Sequence, residues 1–127
     1  MENNTKEIRV GESIVYLDEE NIAHVTAVGE VDDNMAKLIE ETFIKLINNS
    51  EDSIIFFIDL NKAGKPSPKA RQMFKELGIH KKTKKVALYG IHPVAKIIAT
   101  FCMNINFNKG NIRFFTTKKE AFEWIME

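Results

Sequence analysis

The apolar positions near the start of the chain suggest strands. Two stretches rich in β-branched residues, Ile8–Leu17 and Ile22–Val28, flank the polar segment Asp18–Asn21. β-Branched residues suit strands, and four polar residues between two such stretches suit a turn. The pattern therefore predicts an opening β-hairpin.

The next segment has the period of a helix. Asp32 or Asp33 can serve as N-cap, and Asn48-Asn49-Ser50 can end the helix. Between them, apolar residues recur every three or four positions and form one stripe. The residues of this stripe are Met35, Leu38, Ile39, Phe43, Leu46 and Ile47.

A short apolar run and a second helix follow. The run Ile54–Leu60 is almost wholly apolar, which is typical of a strand covered by helices on both faces. The composition of Asn61–Pro66 predicts a loop. Ser67 then has the position of an N-cap, with Pro68 at the first helical position.

The last part of the chain repeats the alternation of strand and helix. It comprises a basic connector at 80–85, a strand at 86–89, a helix at 93–104 and a strand at 112–115. A last helix follows from 117 onward and begins with the capping-box spacing Thr117 to Glu120. The predicted order ββαβαβαβα indicates an α/β fold with a mostly parallel, mixed sheet covered by helices. We expect a single domain over 1–127, with residues 1–7 as a disordered tail.

The composition argues against some classes of function. Eighteen basic residues balance eighteen acidic ones among 127, so charge gives no argument for a nucleic-acid partner. The longest apolar stretch, Val94–Phe107, is too short and too polar to form a transmembrane segment. One cysteine and a charged N-terminal segment favour a cytoplasmic location.

The first candidate site lies around Ser67. It follows a strand end and opens a helix, where free backbone N–H groups attract anions. Lys62, Lys65, Lys69 and Arg71 surround it, so Ser67 is a candidate phospho-acceptor or the centre of an anion site. The alternative is that Ser67 only caps the helix and the lysines are solvated.

The second candidate is the helix 93–104, whose apolar surface is wider than a surface helix needs. Ile97, Phe101 and Met103 could line an apolar cavity or face a partner subunit, or the helix could lie deep under its neighbours. Asp59, the carboxylate within the run 54–60, completes this candidate surface. It could be a general base, but we favour a capping role for it.

Motifs for catalysis or metal binding are missing from the sequence. His24, His80 and His92 are scattered, and neither HExxH, CxxC nor GxSxG occurs. The basic run Lys81–Lys85 could contact phosphates, although such runs are usually solvated connectors. We therefore expect no enzyme activity, no metal and no cofactor.

The order of elements and several local patterns resemble the STAS fold of the anti-sigma-factor antagonists, and more closely its SpoIIAA-like branch of small bacterial proteins. The resemblance covers about 8–126. In such antagonists a partner kinase phosphorylates a serine at the corresponding helix start, near which Ser67 stands. The Asp-Ser-Ser-Gly signature is absent, and Pro68 follows the serine. The segments that carry the resemblance are Ile58-Asp59-Leu60, 62–68, Val86-Ala87-Leu88-Tyr89-Gly90, Arg113-Phe114-Phe115 and 120–125.

This resemblance predicts a non-enzymatic regulatory module that binds a protein partner, with homodimerisation as a further expectation. The SpoIIAA-like branch is also similar to lipid-carrying CRAL-TRIO domains. The alternative prediction is therefore a carrier or sensor of an apolar small molecule, with its anionic head at Ser67 and its tail near Ile97, Phe101 and Met103. A transfer enzyme using Asp59 and Ser67 is a third possibility.

Overall fold

Six strands and four helices form the computed structural model, which describes residues 7–104 and 111–127, with only the backbone described at 74, 77–79, 99 and 101–104. The strands are β1 (Glu7–Val10), β2 (Ser13–Leu17), β3 (Ile22–Val31), β4 (Ile54–Pro66), β5 (Thr83–Tyr89) and β6 (Ile112–Phe115). The helices are α1 (Asp33–Asn49), α2 (Pro68–Ile79), α3 (Pro93–Asn104) and α4 (Lys118–Ile125).

The strands lie in the sheet in the same order as in the chain, from β1 to β6. The pairs β1–β2 and β2–β3 are antiparallel, and those from β3 to β6 are parallel. Successive right-handed crossovers that always step in the same direction place their helices on one face of the sheet. Accordingly, the main core contains buried residues from α1, α2 and α3 together.

The helix ends follow the local signals in the sequence. The Asp32 side chain accepts a hydrogen bond from the Met35 amide at 2.8 Å, and Thr117 caps α4 through the Glu120 amide at 3.2 Å.

On the inner side of α1, Phe43 packs against Phe56 of β4 with ring centroids 4.9 Å apart. Burying a side chain of this size contributes roughly 1.5–3 kcal/mol.

The first predicted strand, Ile8–Leu17, is in fact two strands. The chain turns back at Gly11, whose φ of +63° favours glycine, and β1 then pairs with β2. Ser13 begins β2 as a buried residue, and its hydroxyl oxygen accepts a hydrogen bond from the Val28 amide at 2.9 Å. The predicted hairpin around Asp18–Asn21 is confirmed as the connection from β2 to β3.

The predicted loop Asn61–Pro66 was wrong, because these residues extend β4. They pair with the extended end of β3, so that Val28 faces Lys62 and Val31 faces Pro66. Gly64 permits this pairing, since a Cβ at its position would lie 2.7 Å from the Glu30 nitrogen. In this strand, glycine therefore marks a close approach of two backbones.

The second face of the sheet is covered at one end. There α4 packs through Trp124 onto a smaller core that includes Phe57 of β4 and Tyr89 of β5. At the other end, Tyr16 of β2 and His24 of β3 stay half-buried. The expected α/β architecture is confirmed, with helical cover on this face limited to the neighbourhood of α4.

None of the helices within residues 7–104 and 111–127 combines the length and the apolar character that spanning a bilayer requires.

Candidate functional site

Ser67 joins the end of β4 to the start of α2. Its amide donates to the Val31 carbonyl at 2.9 Å, which fixes the entry to the helix. Its side-chain oxygen accepts a hydrogen bond from the Ala70 amide at 3.1 Å. Ser67 is thus the N-cap, with Pro68 at the first helical position, and the residue is half-buried.

The three lysines around Ser67 have different surroundings. Lys62 and Lys65 are exposed on the extension of β4. Lys69, in the first turn of α2, lies close enough to Glu40 of α1 for its charge to lower the pKa of that carboxyl group. Burial and the nearby carboxyl group of Glu76 outweigh this effect and raise the pKa of Glu40.

Asp59 holds the segment that follows it. One carboxylate oxygen accepts hydrogen bonds from the Asn61 amide at 2.9 Å and from the Asn61 side chain at 3.0 Å. The Asn61 side-chain oxygen in turn accepts a hydrogen bond from the Ile91 amide at 3.1 Å. Asp59 therefore has the positioning role that its sequence context favoured over general-base catalysis.

This chain of hydrogen bonds links β4, just beyond its pairing with β5, to the segment that follows β5. Gly90, which follows β5, lies close to Asn61, because a Cβ at Gly90 would approach the Asn61 nitrogen to 3.3 Å. Ile91 follows with 74% of its surface exposed. The result is an apolar side chain presented to solvent on a backbone that is fixed by Asn61.

Asp59 also affects a buried tyrosine on the adjoining strand. Asp59 and Tyr89 are partners in the pairing of β4 with β5. Burial raises the pKa of Tyr89 to about 12, with smaller contributions from the charges of Asp59 and Tyr16. Tyr89 therefore keeps its proton at any physiological pH.

A groove separates α2 from α3 on the helical side of the molecule. Its volume is about 350 Å³, and it is lined by Arg71 of α2 and by Lys96, Ile97 and Thr100 of α3. The predicted apolar residue Ile97 is 47% exposed there. The side chains of Phe101 and Met103 lie outside the described residues. The groove begins one turn beyond the cap, since the Arg71 amide donates to the Ser67 carbonyl at 3.0 Å.

A cluster around His24 was not predicted from the sequence. This ring stacks on Tyr16 with centroids 4.6 Å apart and an interplanar angle of 4°. Its Nε2 atom lies 2.9 Å from an Asp18 carboxylate oxygen. Tyr16 and His24 are direct partners across the hairpin, so counting outward from the turn 18–21 would have placed the two rings together.

The basic connector is built into the fold at two of its lysines. Lys82 donates to the carbonyl oxygens of Ile47 and Ser50 at the end of α1. Lys85 donates to the Trp124 carbonyl at 2.7 Å and lies over the Trp124 ring. Lys82 therefore connects the start of β5 to α1, and Lys85 connects β5 to α4. This corrects the interpretation of the whole run as a solvated connector or a phosphate contact.

Metal-binding side chains do not converge in the described part of the chain. Over 7–104 and 111–127, no three histidine, cysteine, aspartate or glutamate side chains come together as a metal site.

Comparisons with known proteins agree on the architecture. A family model described as a domain of unknown function, DUF7793, matches residues 15–127. An uncharacterised DUF3478-family protein with a SpoIIAA-like fold from Shewanella loihica PV-4 has a TM-score of 0.60 and 18% identity, covering 98% of each chain. The unphosphorylated anti-sigma factor antagonist SpoIIAA has a TM-score of 0.56 and 13% identity, covering 96% of this chain and 97% of its own.

These likenesses confirm the STAS-like fold that the resemblance predicts. No curated protein matches the chain.

Proposed function

The chain belongs to the DUF7793 family and has a SpoIIAA-like fold, and on this basis we propose that it is a non-enzymatic, cytoplasmic regulatory module that binds a protein partner. The contact region in this proposal is the carboxyl-end surface, defined as Asn61, Lys62, Lys65, Ile91 and Ile97. Asn61, Lys62 and Lys65 lie in β4 beyond its pairing with β5, which ends at Asp59 and Tyr89. Ile91 follows β5, and Ile97 lies in α3. In open α/β sheets, this edge is where ligands usually bind.

The observation that carries the proposal is the presentation of Ile91. Its side chain is 74% exposed, while its amide is bound to Asn61 at 3.1 Å. An apolar side chain on a fixed backbone loses little conformational freedom when a partner covers it. Ile91 can therefore act as a preorganised apolar anchor.

The charges nearby indicate the character of the partner. Lys62 and Lys65 are both exposed on the extension of β4. Complementary charge speeds association and disfavours partners of the wrong sign. The proposed partner therefore presents an apolar pocket with acidic residues at its rim.

Ser67 supplies a possible means of regulation for this surface. We propose that a partner kinase transfers a phosphoryl group from ATP to the Ser67 oxygen, which releases ADP and a proton. A phosphate at the N-terminus of α2 would be stabilised by the helix dipole and by nearby lysines. Two negative charges would then face any acidic partner, so modification is expected to weaken binding.

The experiment compares two exposed apolar residues. Ile91→Asp places a charge on the carboxyl-end surface, and Leu38→Asp makes the same change at a 51% exposed position of α1. Tagged wild-type protein and both variants are purified from the native cell, and co-purifying proteins are quantified by mass spectrometry. A partner lost with Ile91→Asp and kept with Leu38→Asp is the expected result, to be followed by affinity measurement with the purified partner.

Equal recovery with both variants would refute the role of this surface. Turnover of a substrate that is lost in both Asp59→Ala and Ser67→Ala would refute the non-enzymatic part of the proposal. Homodimerisation is measured separately by light scattering across a range of protein concentrations, and a mass of 14.6 kDa throughout would exclude it.

The second candidate function is binding of a small molecule that has an anionic head and an apolar body. One observation favours it, namely the groove in which Arg71 and Lys96 flank the apolar side chain of Ile97. This site shares Arg71 with the predicted one, but its other cation is Lys96 of α3, and Ser67 is a cap one turn away.

A further inference from the structure

We propose that the edge strand β1 binds β1 of a second copy of this chain in antiparallel orientation, so that the two sheets join across a two-fold axis at Ile8. The contact would be the interface of the homodimer expected from the family resemblance, and it rests on the proposed function in that respect alone. It involves no residue of the carboxyl-end surface.

The strand β1 lies at one edge of the sheet, with β2 as its only strand neighbour among the described residues. Glu7, Ile8 and Arg9 are all exposed, and 36% of the surface of Ile8 is open to solvent. An edge strand offers a row of unpaired N–H and C=O groups to another strand. The outer side of β1 is therefore accessible to a strand from a second molecule.

The hairpin that joins β1 to β2 determines which backbone groups point outward. Two residues separate the paired Val10 and Ser13, and the first of them, Gly11, has a φ of +63°. Two-residue turns with glycine at this position are closed by a hydrogen-bonded pair, and the next pairs alternate between non-hydrogen-bonded and hydrogen-bonded. The backbone N–H and C=O groups of Glu7 and Arg9 therefore point away from β2.

These outward groups fit a two-fold pairing that is centred on Ile8. When the two Ile8 residues face each other on the axis, Glu7 lies opposite Arg9 of the partner subunit, and Arg9 lies opposite Glu7 of the partner subunit. Each of these pairs can exchange two backbone hydrogen bonds, because both members have their groups on the outer side. The two Ile8 residues form the non-hydrogen-bonded pair between them, where side chains lie closest.

Charge favours this register over the neighbouring ones. Glu7 and Arg9 lie on the same face of the sheet, since side chains alternate along a strand. A pairing centred on Ile8 places each carboxylate opposite a guanidinium, whereas a pairing centred on Glu7 or on Arg9 places like charges opposite each other on the axis. Opposite charges on facing strands stabilise a sheet, and like charges destabilise it. The same charges that discourage unspecific pairing of an edge strand therefore permit this one.

The other edge of the sheet lacks this complementarity. The strand there, β6, has Arg113 as its one charged residue, and the Arg113 guanidinium lies over the Trp124 ring at 5.6 Å from its centroid. A two-fold pairing of β6 with itself would gain no pair of opposite charges. The β1 edge is therefore the better match for a second copy, and a two-fold contact there closes the assembly at a dimer.

The test begins with the wild-type protein. Sedimentation velocity covers concentrations from about 10 µM to about 1 mM, because a contact of four residues from each chain gives a weak dimer. The mass is expected to rise from 14.6 kDa toward twice that value. Over the same range, amide hydrogen exchange at Glu7 and Arg9 should slow, since their N–H groups become bonded in the dimer.

Charge reversal tests the register. Glu7→Arg and Arg9→Glu each place like charges opposite each other twice in the dimer, so each should weaken association by about tenfold or more. An equal mixture of the two variants should associate as the wild type does, because every facing pair in the mixed dimer is then opposite in charge. Glu12→Arg is the matched control, since it makes the same change of charge at an exposed residue of the turn after β1.

Four results would overturn the inference. They are a mass of 14.6 kDa at every concentration, unchanged association of Glu7→Arg, equal weakening by Glu12→Arg, and a mixture of Glu7→Arg with Arg9→Glu that fails to associate. Hydrogen exchange on the wild type needs no variant, so concentration-independent exchange at Glu7 and Arg9 in a dimerising protein would also overturn it. Loss of a partner in Ile91→Asp affects none of these measurements, so the two proposals fail separately.

Discussion

The side-chain oxygen of Asn61 accepts a hydrogen bond from the amide of Ile91, thirty residues further along the chain, at 3.1 Å. Asp59 orients the Asn61 side chain by accepting from its amide nitrogen at 3.0 Å. One asparagine thus fixes the backbone that carries the most exposed large apolar side chain among the described residues.

Replacement of Asn61 by alanine is expected to release this backbone. The Ile91 amide loses its acceptor, so its hydrogen exchange should accelerate by about tenfold or more, and the free energy of unfolding should fall by about 1 kcal/mol. Asn34→Ala, at an exposed position of α1, is the control. Unchanged exchange at Ile91 would contradict the assigned role of Asn61.

Ser67 offers a test that separates capping from regulation. Ser67→Ala removes the acceptor of the Ala70 amide and should cost about 1 kcal/mol of stability. Aspartate is also a good N-cap, so Ser67→Asp should melt near the wild-type temperature. If Ser67 is a regulatory site, this variant should nevertheless bind the partner more weakly. Unchanged affinity of Ser67→Asp for the partner would show that Ser67 only caps α2.

Gly29 of β3 and Gly64 of β4 lie in paired strands, and we expect their replacement by alanine to lower stability by different amounts. A Cβ at Gly64 would lie 2.7 Å from the Glu30 nitrogen and 2.9 Å from its Cα, and neither backbone atom can swing aside. Gly64→Ala should therefore cost roughly 2–4 kcal/mol in urea denaturation. At Gly29 there is open space, so only its φ of +78° opposes alanine, at about 1–2 kcal/mol. Equal costs would contradict the close approach.

Two adjacent lysines form a matched pair for the basic connector. Lys82→Met removes the ammonium donor from the carbonyl groups of Ile47 and Ser50 at the end of α1, at an expected cost of about 1–3 kcal/mol, although the Ile47 carbonyl keeps the Ser50 amide as a donor. Lys81 is exposed, so Lys81→Met should change stability by less than about 0.5 kcal/mol. The denaturant midpoints of the two variants provide the comparison. A similar loss of stability in both variants would show that the positive charge of the run matters more than the hydrogen bonds of Lys82.

The ionisation of Tyr89 provides a prediction at high pH. Its pKa rises from 10.0 to about 12 in the folded protein. The folded state thus retains a proton that the unfolded chain loses, so stability should be constant below pH 10 and fall as the pH rises from 10 to 12. Tyr89→Phe should reduce this fall.

Absorbance of the phenolate can measure this pKa directly. The chain has two tyrosines, so a Tyr16→Phe variant leaves Tyr89 as the only one. Asp59→Asn should lower the midpoint only in part, since burial is the largest cause of the shift. A midpoint near 10 in the folded protein would contradict the described burial of Tyr89.

Local sequence signals were sufficient for most of the secondary structure. The caps at Asp32 and Thr117 depend on side chains within three residues of the amides that they bind, so they could be read from the sequence. The segment around Gly64 was predicted as a loop because a glycine among polar residues indicates a loop when no partner strand is known. The extension of β3 to Val31 supplies that partner, and only the tertiary structure shows it.

The cap at Ser67 could be predicted from the sequence, because capping is local. The grouping of Ser67 with Lys69 around one anion stays a prediction, and the charge of Lys69 also lowers the pKa of Glu40 on α1. The contact from Asn61 to Ile91 and the groove between Arg71 and Lys96 join distant segments, so spacing along the chain could not reveal them.

The arrangement of the sheet also has a consequence for how the protein folds. Because the six strands occur in the sheet in chain order, every strand pairs only with its immediate predecessor and successor in the sequence. No strand has to enter between two that are already hydrogen-bonded, and each step closes one hairpin or one crossover that contains a helix. Folding can therefore begin at β3, α1 and β4 and proceed outward in both directions, adding one strand at a time.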